Sequence, residues 1–204
     1  MRLGPEVTQE NHLPRVEQTY TYPRGLRDRY VQGVLFNEWR KRYPDALLFC
    51  PRMLQSRQIP HSGPISGPMF FNELFLGTQY LDAGYGALFF YREVEDRACY
   101  RKAREILGGE DAAQFVTPNS ERGGRAPDLL IYDPDSLRFR FVECKSPTER
   151  YTQHQPVRFA GIEAYLNATL PASATPLSDE THPALFPPLH AGQWIHVARL
   201  HAVE

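Results

Sequence analysis

Three features are scarce in this sequence, and each absence excludes a class of protein. The 204 residues contain only three cysteines, Cys50, Cys99 and Cys144, which lie far apart without Cys-x-x-Cys spacing. An odd, scattered set argues against a disulfide framework and against a zinc site, and it predicts reduced thiols in a cytosolic compartment. No apolar run approaches the roughly 20 residues of a membrane-spanning helix, and the first residues lack the pattern of a Sec-type signal peptide.

An excess of charge of one sign is also lacking, since the formal net charge is only -1. A nucleic-acid partner would therefore need a local basic patch rather than a basic chain.

Proline is frequent, at 18 residues, which predicts many loops. The length predicts a single domain over residues 1–204, with an N-terminal arm and helical embellishment over 1–68 and a core from about 69 to 204.

The hydrophobic pattern predicts an α/β chain. Helices are expected over 25–43, 69–83, 92–107 and 151–170, and strands over 46–50, 114–117, 129–132, 137–144 and 193–203. Residues 87–91 fit a buried strand or a second helix, because so short an apolar run does not distinguish them. Residues 1–24 are expected to form an arm, and 44–68 and 171–192 long loops; the C-terminal histidines, His182, His190, His196 and His201, are expected at the surface.

A β-hairpin over residues 125–145 organises the chain. Leu129–Tyr132 is a short apolar run, Asp133–Ser136 has the composition of a turn, and apolar residues alternate from Leu137 to Cys144. Asp128 opens the first strand, and Glu143 and Lys145 end the second. The two open ends of a hairpin lie side by side, and residues two apart on a strand point to the same face.

The hairpin therefore predicts a cluster of two carboxylates and one ammonium group. Asp128 and Glu143 would repel each other unless a cation lay between them, and a hard divalent ion suits such an all-oxygen site. Lys145 could orient or deprotonate an attacking water, or meet developing charge. The alternative interpretation is a turn aspartate beside a solvated strand face, with a weak ion pair. The flexible Gly123–Gly124 before Pro127 and the strand-ending Pro147 favour the site.

These residues resemble the VRR-NUC branch of the PD-(D/E)xK nuclease superfamily, which includes the nuclease domain of Fanconi-associated nucleases and stand-alone bacterial proteins. The resemblance covers Gly123–Leu130, Phe141–Arg150 and Gln155, and it is dense over residues 123–155. Where the usual pattern has Val, Gly, Asp and Leu, this chain has Cys144, Ser146, Glu149 and Tyr151. None of these departures removes a residue expected to bind metal.

The resemblance implies a restriction-endonuclease-like αβββαβ core with a mixed central sheet flanked by helices. It also implies metal-dependent cleavage of DNA, with Mg²⁺ or Mn²⁺ held by Asp128 and Glu143, Lys145 acting on the attacking water, and Gln155 beside the metal or the phosphate. A third carboxylate is expected on a helix before the hairpin. Glu73 and Glu95 both fit, and Glu73 is preferred because a lone acid in an apolar helix is the less ordinary placement.

Two classes of function follow. The first is a metal-dependent DNA endonuclease, either a structure-selective repair enzyme or an antibacterial effector paired with a cognate immunity protein. The second is a non-catalytic module that binds DNA structures or a protein on the same scaffold. A cytoplasmic location in the producing cell is expected, with delivery into target cells by a specialised secretion system if the chain is an effector, and no membrane partner is expected.

Overall fold

The structure is a computed structural model that describes residues 15–49, 70–89, 91, 97–116 and 126–204. The structural statements below concern these ranges. The first part of the predicted arm, most of the predicted 44–68 loop and the start of the predicted 92–107 helix lie outside them.

A five-stranded mixed sheet forms the centre of the fold. Its strands are β1 (Glu17–Pro23), β2 (Gly86–Leu88), β3 (Leu129–Tyr132), β4 (Phe139–Lys145) and β5 (Ile195–Val203), in the spatial order β1-β5-β4-β3-β2. Strands β2, β3 and β4 pair antiparallel, whereas β5 runs parallel to both β4 and β1. The predicted α/β class and mixed central sheet are confirmed.

Helices flank this sheet. They are α1 (Arg24–Val31), α2 (Val34–Arg42), α3 (Phe71–Asp82), α4 (Arg97–Ile106), α5 (Glu110–Val116) and α6 (Gln155–Thr169), with a short 3-10 helix at Leu47–Phe49. In the described ranges, no helix has the length and apolar character needed to cross a membrane. The predicted helices over 69–83 and 151–170 correspond closely to α3 and α6.

The hairpin forms as predicted, with a later start to its second strand. The Asp133 carboxylate accepts hydrogen bonds from the backbone nitrogens of Asp135, at 2.9 Å, and Ser136, at 3.3 Å, which fixes the turn. Leu137, predicted in the strand, has a φ of 57° and belongs to the turn, its backbone nitrogen bonding to the Asp133 carbonyl. Strand β4 therefore begins at Phe139.

Every residue of β4 is buried, so its alternation separates two cores rather than a core and solvent. Phe139 and Phe141 pack in the core that includes Phe159 of α6, whereas Val142 and Cys144 pack in the core that includes Phe71 of α3. Burial on both faces makes β4 a rigid base for the side chains at its end.

The N-terminal part of the chain differs from the prediction. Residues 17–23, predicted as part of an arm, form edge strand β1, which pairs with β5 over its whole length. The single helix predicted over 25–43 is two helices, because Gly33 has a φ of 78°, a left-handed conformation that ends one helix and starts the next.

Two short elements were predicted wrongly, and one open alternative is decided. Within the strand predicted at 46–50, Leu47–Phe49 form the 3-10 helix, and within the strand predicted at 114–117, the described residues 114–116 are the end of α5. Both errors concern runs of four or five residues, in which periodicity carries little information. The run at 87–91 contributes to strand β2 rather than to a helix.

His196 is the clearest correction among the predicted surface residues. It is fully buried on β5, with its Nε2 3.5 Å from the Tyr20 hydroxyl. Burial, together with the nearby Arg140 guanidinium, holds the pKa of His196 well below its usual range. His196 is therefore neutral in the folded protein at neutral pH.

The buried His196 predicts loss of stability in mild acid. Below pH about 6.5 this histidine is protonated in the unfolded chain but not in the folded protein. The free energy of unfolding therefore decreases as the pH is lowered, by at most about 1.4 kcal/mol per pH unit. Denaturant unfolding at several pH values between about 5 and 7 measures this slope. The slope should be shallower in His196→Gln, and an equal slope in both proteins would assign the acid sensitivity to other groups.

Candidate active site at the open end of the hairpin

Asp128 is held at the open end of the hairpin by backbone contacts. Its Oδ2 accepts a hydrogen bond from the backbone nitrogen of Cys144, at 2.9 Å. The preceding residue is fixed as well, because the Tyr91 hydroxyl donates to the Pro127 carbonyl at 2.7 Å. Leu129 pairs with Val142 in the β3–β4 register, which places Asp128 opposite Glu143. The predicted approach of these two carboxylates is present.

Glu143 is almost fully buried, with 2% of the side chain exposed. Its Oε1 accepts hydrogen bonds from Gln155 Nε2, at 2.7 Å, and lies 2.9 Å from Lys145 Nζ. Its Oε2 is buried and has no hydrogen-bond partner among the described residues. Burial, and secondarily the Asp128 carboxylate, raise the pKa of Glu143 to about 8, against the lowering effect of Lys145.

Lys145 lies between two carboxylates. Its Nζ is 2.9 Å from Glu143 Oε1 and 3.0 Å from Glu149 Oε1, and only 5% of the side chain is exposed. Burial alone would lower the pKa of this ammonium group, but the two carboxylates outweigh burial and raise it. Lys145 is therefore a fixed positive charge at neutral pH.

Gln155 occupies the first turn of α6, as predicted, and its amide orientation is determined by its contacts. The amide oxygen accepts a hydrogen bond from the Thr152 backbone nitrogen at 2.9 Å, so the amide nitrogen faces Glu143. Gln155 therefore fixes the position of a carboxylate. Arg150 and His154 flank this helix start, and both are exposed.

The third predicted carboxylate, Glu73, lies on a different element from the other two. Glu73 lies in the first turn of α3, partly exposed, and contributes to raising the pKa values of the Tyr30 hydroxyl and the Cys144 thiol, in both cases after burial. Glu95, the competing position, lies outside the described residues. In the part of the chain that the structure describes, no group of three or more His, Cys, Asp and Glu residues could hold a metal ion. Glu73 stays a prediction.

The pair that is present fits a hard divalent ion. Asp128 and Glu143 supply carboxylate oxygens, and the unpartnered buried Oε2 of Glu143 is an acceptor that lacks a positive partner. Such an atom is costly to bury unless something binds it. Mg²⁺ is commonly held by one or two carboxylates plus waters and substrate phosphates, so this pair suffices as the protein's share of a site.

Two contacts and one buried hydroxyl around the site were not predicted from the sequence. Glu149 holds Lys145 from the opposite side, a pairing that the four-residue spacing could have suggested. Arg199 fixes the loop after β4 by donating to the carbonyls of Ser146, at 3.4 Å, and Glu149, at 2.9 Å. The Tyr151 hydroxyl is buried without a hydrogen-bond partner among the described residues, and burial raises its pKa to about 12. Nothing in the sequence predicted the Arg199 contacts or the burial of the Tyr151 hydroxyl.

Comparison with known proteins adds no family assignment. No protein-family model matches the chain, and no curated protein is significantly similar to it. The function is therefore argued from the site.

Proposed function

We propose that this chain is a Mg²⁺- or Mn²⁺-dependent endodeoxyribonuclease of the VRR-NUC branch of the PD-(D/E)xK superfamily. The observation that carries the proposal is the convergence of Asp128, Glu143 and Lys145 at the end of one hairpin, with a Glu143 oxygen buried and without a hydrogen-bond partner in the described ranges. Opposed carboxylates, a neighbouring ammonium group and an unused acceptor form the set that metal-assisted hydrolysis requires.

The order of elements supports the restriction-endonuclease-like part of the proposal. Helix α3 precedes the antiparallel strands β2, β3 and β4, and helix α6 then leads to β5, which is parallel to β4. This is an αβββαβ succession. Helices α4 and α5 are inserted between β2 and β3, and β1 extends the sheet beyond β5.

Asp128 and Glu143 would hold the divalent ion, with Glu73 as the candidate for a third carboxylate. A bound ion would lower the pKa of a coordinated water and stabilise negative charge on a phosphodiester. Gln155 and the hairpin backbone keep the two carboxylates in place before substrate arrives, through the contacts at 2.7 Å and 2.9 Å. Such preorganisation reduces the rearrangement needed during reaction.

Lys145 acts through its charge. Because its carboxylate neighbours raise its pKa, it is protonated at neutral pH and is poorly suited to remove a proton from water. We assign it instead to orienting the attacking water as a hydrogen-bond donor and to meeting the negative charge that develops on the phosphate. Glu143 and Glu149, both in contact with its Nζ, hold it for that role.

Incubation with DNA tests the proposal. Supercoiled, linear and branched DNA should be cleaved in the presence of Mg²⁺ or Mn²⁺, cleavage should stop on addition of EDTA, and Asp128→Ala should be inactive under all conditions. Nicked plasmid on a gel is the readout. Cleavage by wild type that persists in EDTA, or equal cleavage by wild type and Asp128→Ala, would contradict the mechanism.

A further inference from the structure

A small cavity with a mixed polar and apolar lining borders the loop that follows Lys145. It has a volume of about 260 Å³ and is bordered by Ser146 and Pro147, the residues that follow Lys145, and by Asn72, which precedes Glu73. Arg27 of α1 and His201 of β5 complete its polar lining. A cavity of this size holds far more than a single water, whose share of liquid volume is about 30 Å³.

Each of the four polar side chains around this cavity can donate a hydrogen bond, and Arg27 can only donate. Arg27, Asn72, Ser146 and His201 contribute a guanidinium, an amide, a hydroxyl and an imidazole. Among the described residues, none of these side chains has a hydrogen-bond or ion-pair partner. None of the described lining residues carries a carboxylate, since Glu73 follows Asn72 in the chain without lining the cavity. The Arg27 cation and the absence of a carboxylate from the described lining therefore favour an anion.

The framework of the cavity is fixed rather than adaptable. Its lining includes Tyr22 of β1 and Leu200 of β5, two neighbouring strands of the sheet. The Ser146 backbone is held by Arg199, whose guanidinium donates to the Ser146 carbonyl at 3.4 Å, and by the Glu149 backbone nitrogen at 3.2 Å. Arg199 is itself anchored to Glu17 at 2.7 Å. Donors on such a frame lose little freedom on binding.

We infer that this cavity binds a backbone phosphate of the DNA strand next to the phosphate positioned at Asp128 and Glu143. Ser146, which lines the cavity, directly follows Lys145, so a DNA strand with a phosphate at the candidate site would pass close to the cavity. The inference depends on the proposed function and gives the N-terminal part of the chain a role in it, since Arg27 follows β1 in the first helix. Arg27 supplies the charge, because arginine is suited to phosphate recognition.

Substitution of Arg27 tests this role against a matched control on the same helix. Arg27→Ala should weaken binding of a labelled duplex about tenfold and reduce the slope of log affinity against log salt by about 0.9, the loss of one phosphate contact. Arg24→Ala removes an exposed arginine that does not line the cavity, and should change affinity less than twofold. Arg27→Lys, which keeps the charge, should restore the slope. Fluorescence anisotropy with Ca²⁺ in place of Mg²⁺, from about 50 to 200 mM NaCl, measures these quantities.

The outcomes separate the inference from the function on which it depends. If Arg27→Ala keeps the wild-type salt slope, or if Arg24→Ala loses as much DNA affinity as Arg27→Ala, the phosphate site is overturned. In either case, cleavage of plasmid by the wild-type protein would still support the proposed function. If wild type neither binds nor cleaves DNA, both fall. Weaker binding by Arg27→Ala alone, with the reduced slope, supports the site.

Discussion

Replacement of Lys145 by methionine is expected to reduce the rate of DNA cleavage by a factor of about 10³ or more, because two contributions are lost together. The ammonium group no longer meets charge on the phosphate, an effect that alone is typically worth about 10²–10³ in rate when one fixed donor is removed. In addition, Lys145 lowers the pKa of Glu143, which burial already raises to about 8, so loss of Lys145 drives that pKa higher still and further disfavours the carboxylate form that would bind the ion. A protonated carboxyl is a poor metal ligand.

Methionine keeps the volume of the lysine stem, so the buried strand end should remain packed. Lys102→Met is the control, because Lys102 also pairs with a glutamate at 3.0 Å but lies on α4, away from the hairpin end. Single-turnover cleavage of a labelled duplex, with circular dichroism to verify folding, measures the effect. A folded Lys145→Met protein with more than about a tenth of wild-type activity would remove Lys145 from the mechanism, since so small a loss is below that of one fixed donor.

Asp128→Asn and Glu143→Gln are each expected to abolish detectable cleavage and, with it, binding of a divalent ion in the absence of DNA. Both substitutions keep the shape of the side chain and remove one of the two anionic ligands. The asparagine can still accept the hydrogen bond from the Cys144 nitrogen, so the hairpin should persist. Loss of function would then report lost charge rather than lost structure.

Asp135→Asn is the matched control for this pair. It removes a carboxylate from the same hairpin, but at the exposed turn on the opposite end. Thermal melting with and without Mn²⁺ should show a rise in melting temperature for wild type and Asp135→Asn, and none for the two site variants, because only a protein that binds the ion is stabilised by it. An equal rise in all four proteins would place the ion elsewhere.

The hairpin and the trio at its end could be predicted because local rules determine them. An apolar run, an Asp-Pro turn and an alternating strand specify which residues face each other, so the meeting of Asp128, Glu143 and Lys145 needs no knowledge of distant contacts. Gln155 was also predictable, from the resemblance and from its position at a helix start. The cause of its orientation, a hydrogen bond to Thr152, was not.

Features that depend on long-range packing were missed. The strand β1 forms only because β5, some 180 residues later, offers it a parallel partner, and its own sequence reads as an arm. His196 was assigned to the surface by residue type, yet it is fully buried on β5. Arg140 is fully buried as well, and it donates to the Pro187 carbonyl at 3.0 Å. Residue type alone does not predict the burial of a polar side chain, because burial depends on which distant segment packs over the strand.

The central claim is that Asp128 and Glu143 together hold one divalent ion beside Lys145. Calorimetric titration of the DNA-free protein with Mn²⁺ tests it most directly. A single site in wild type that is absent from both Asp128→Asn and Glu143→Gln, and retained in Asp135→Asn, is the predicted result. A wild-type protein that binds no Mn²⁺, or variants that bind it as tightly as wild type, would contradict the claim.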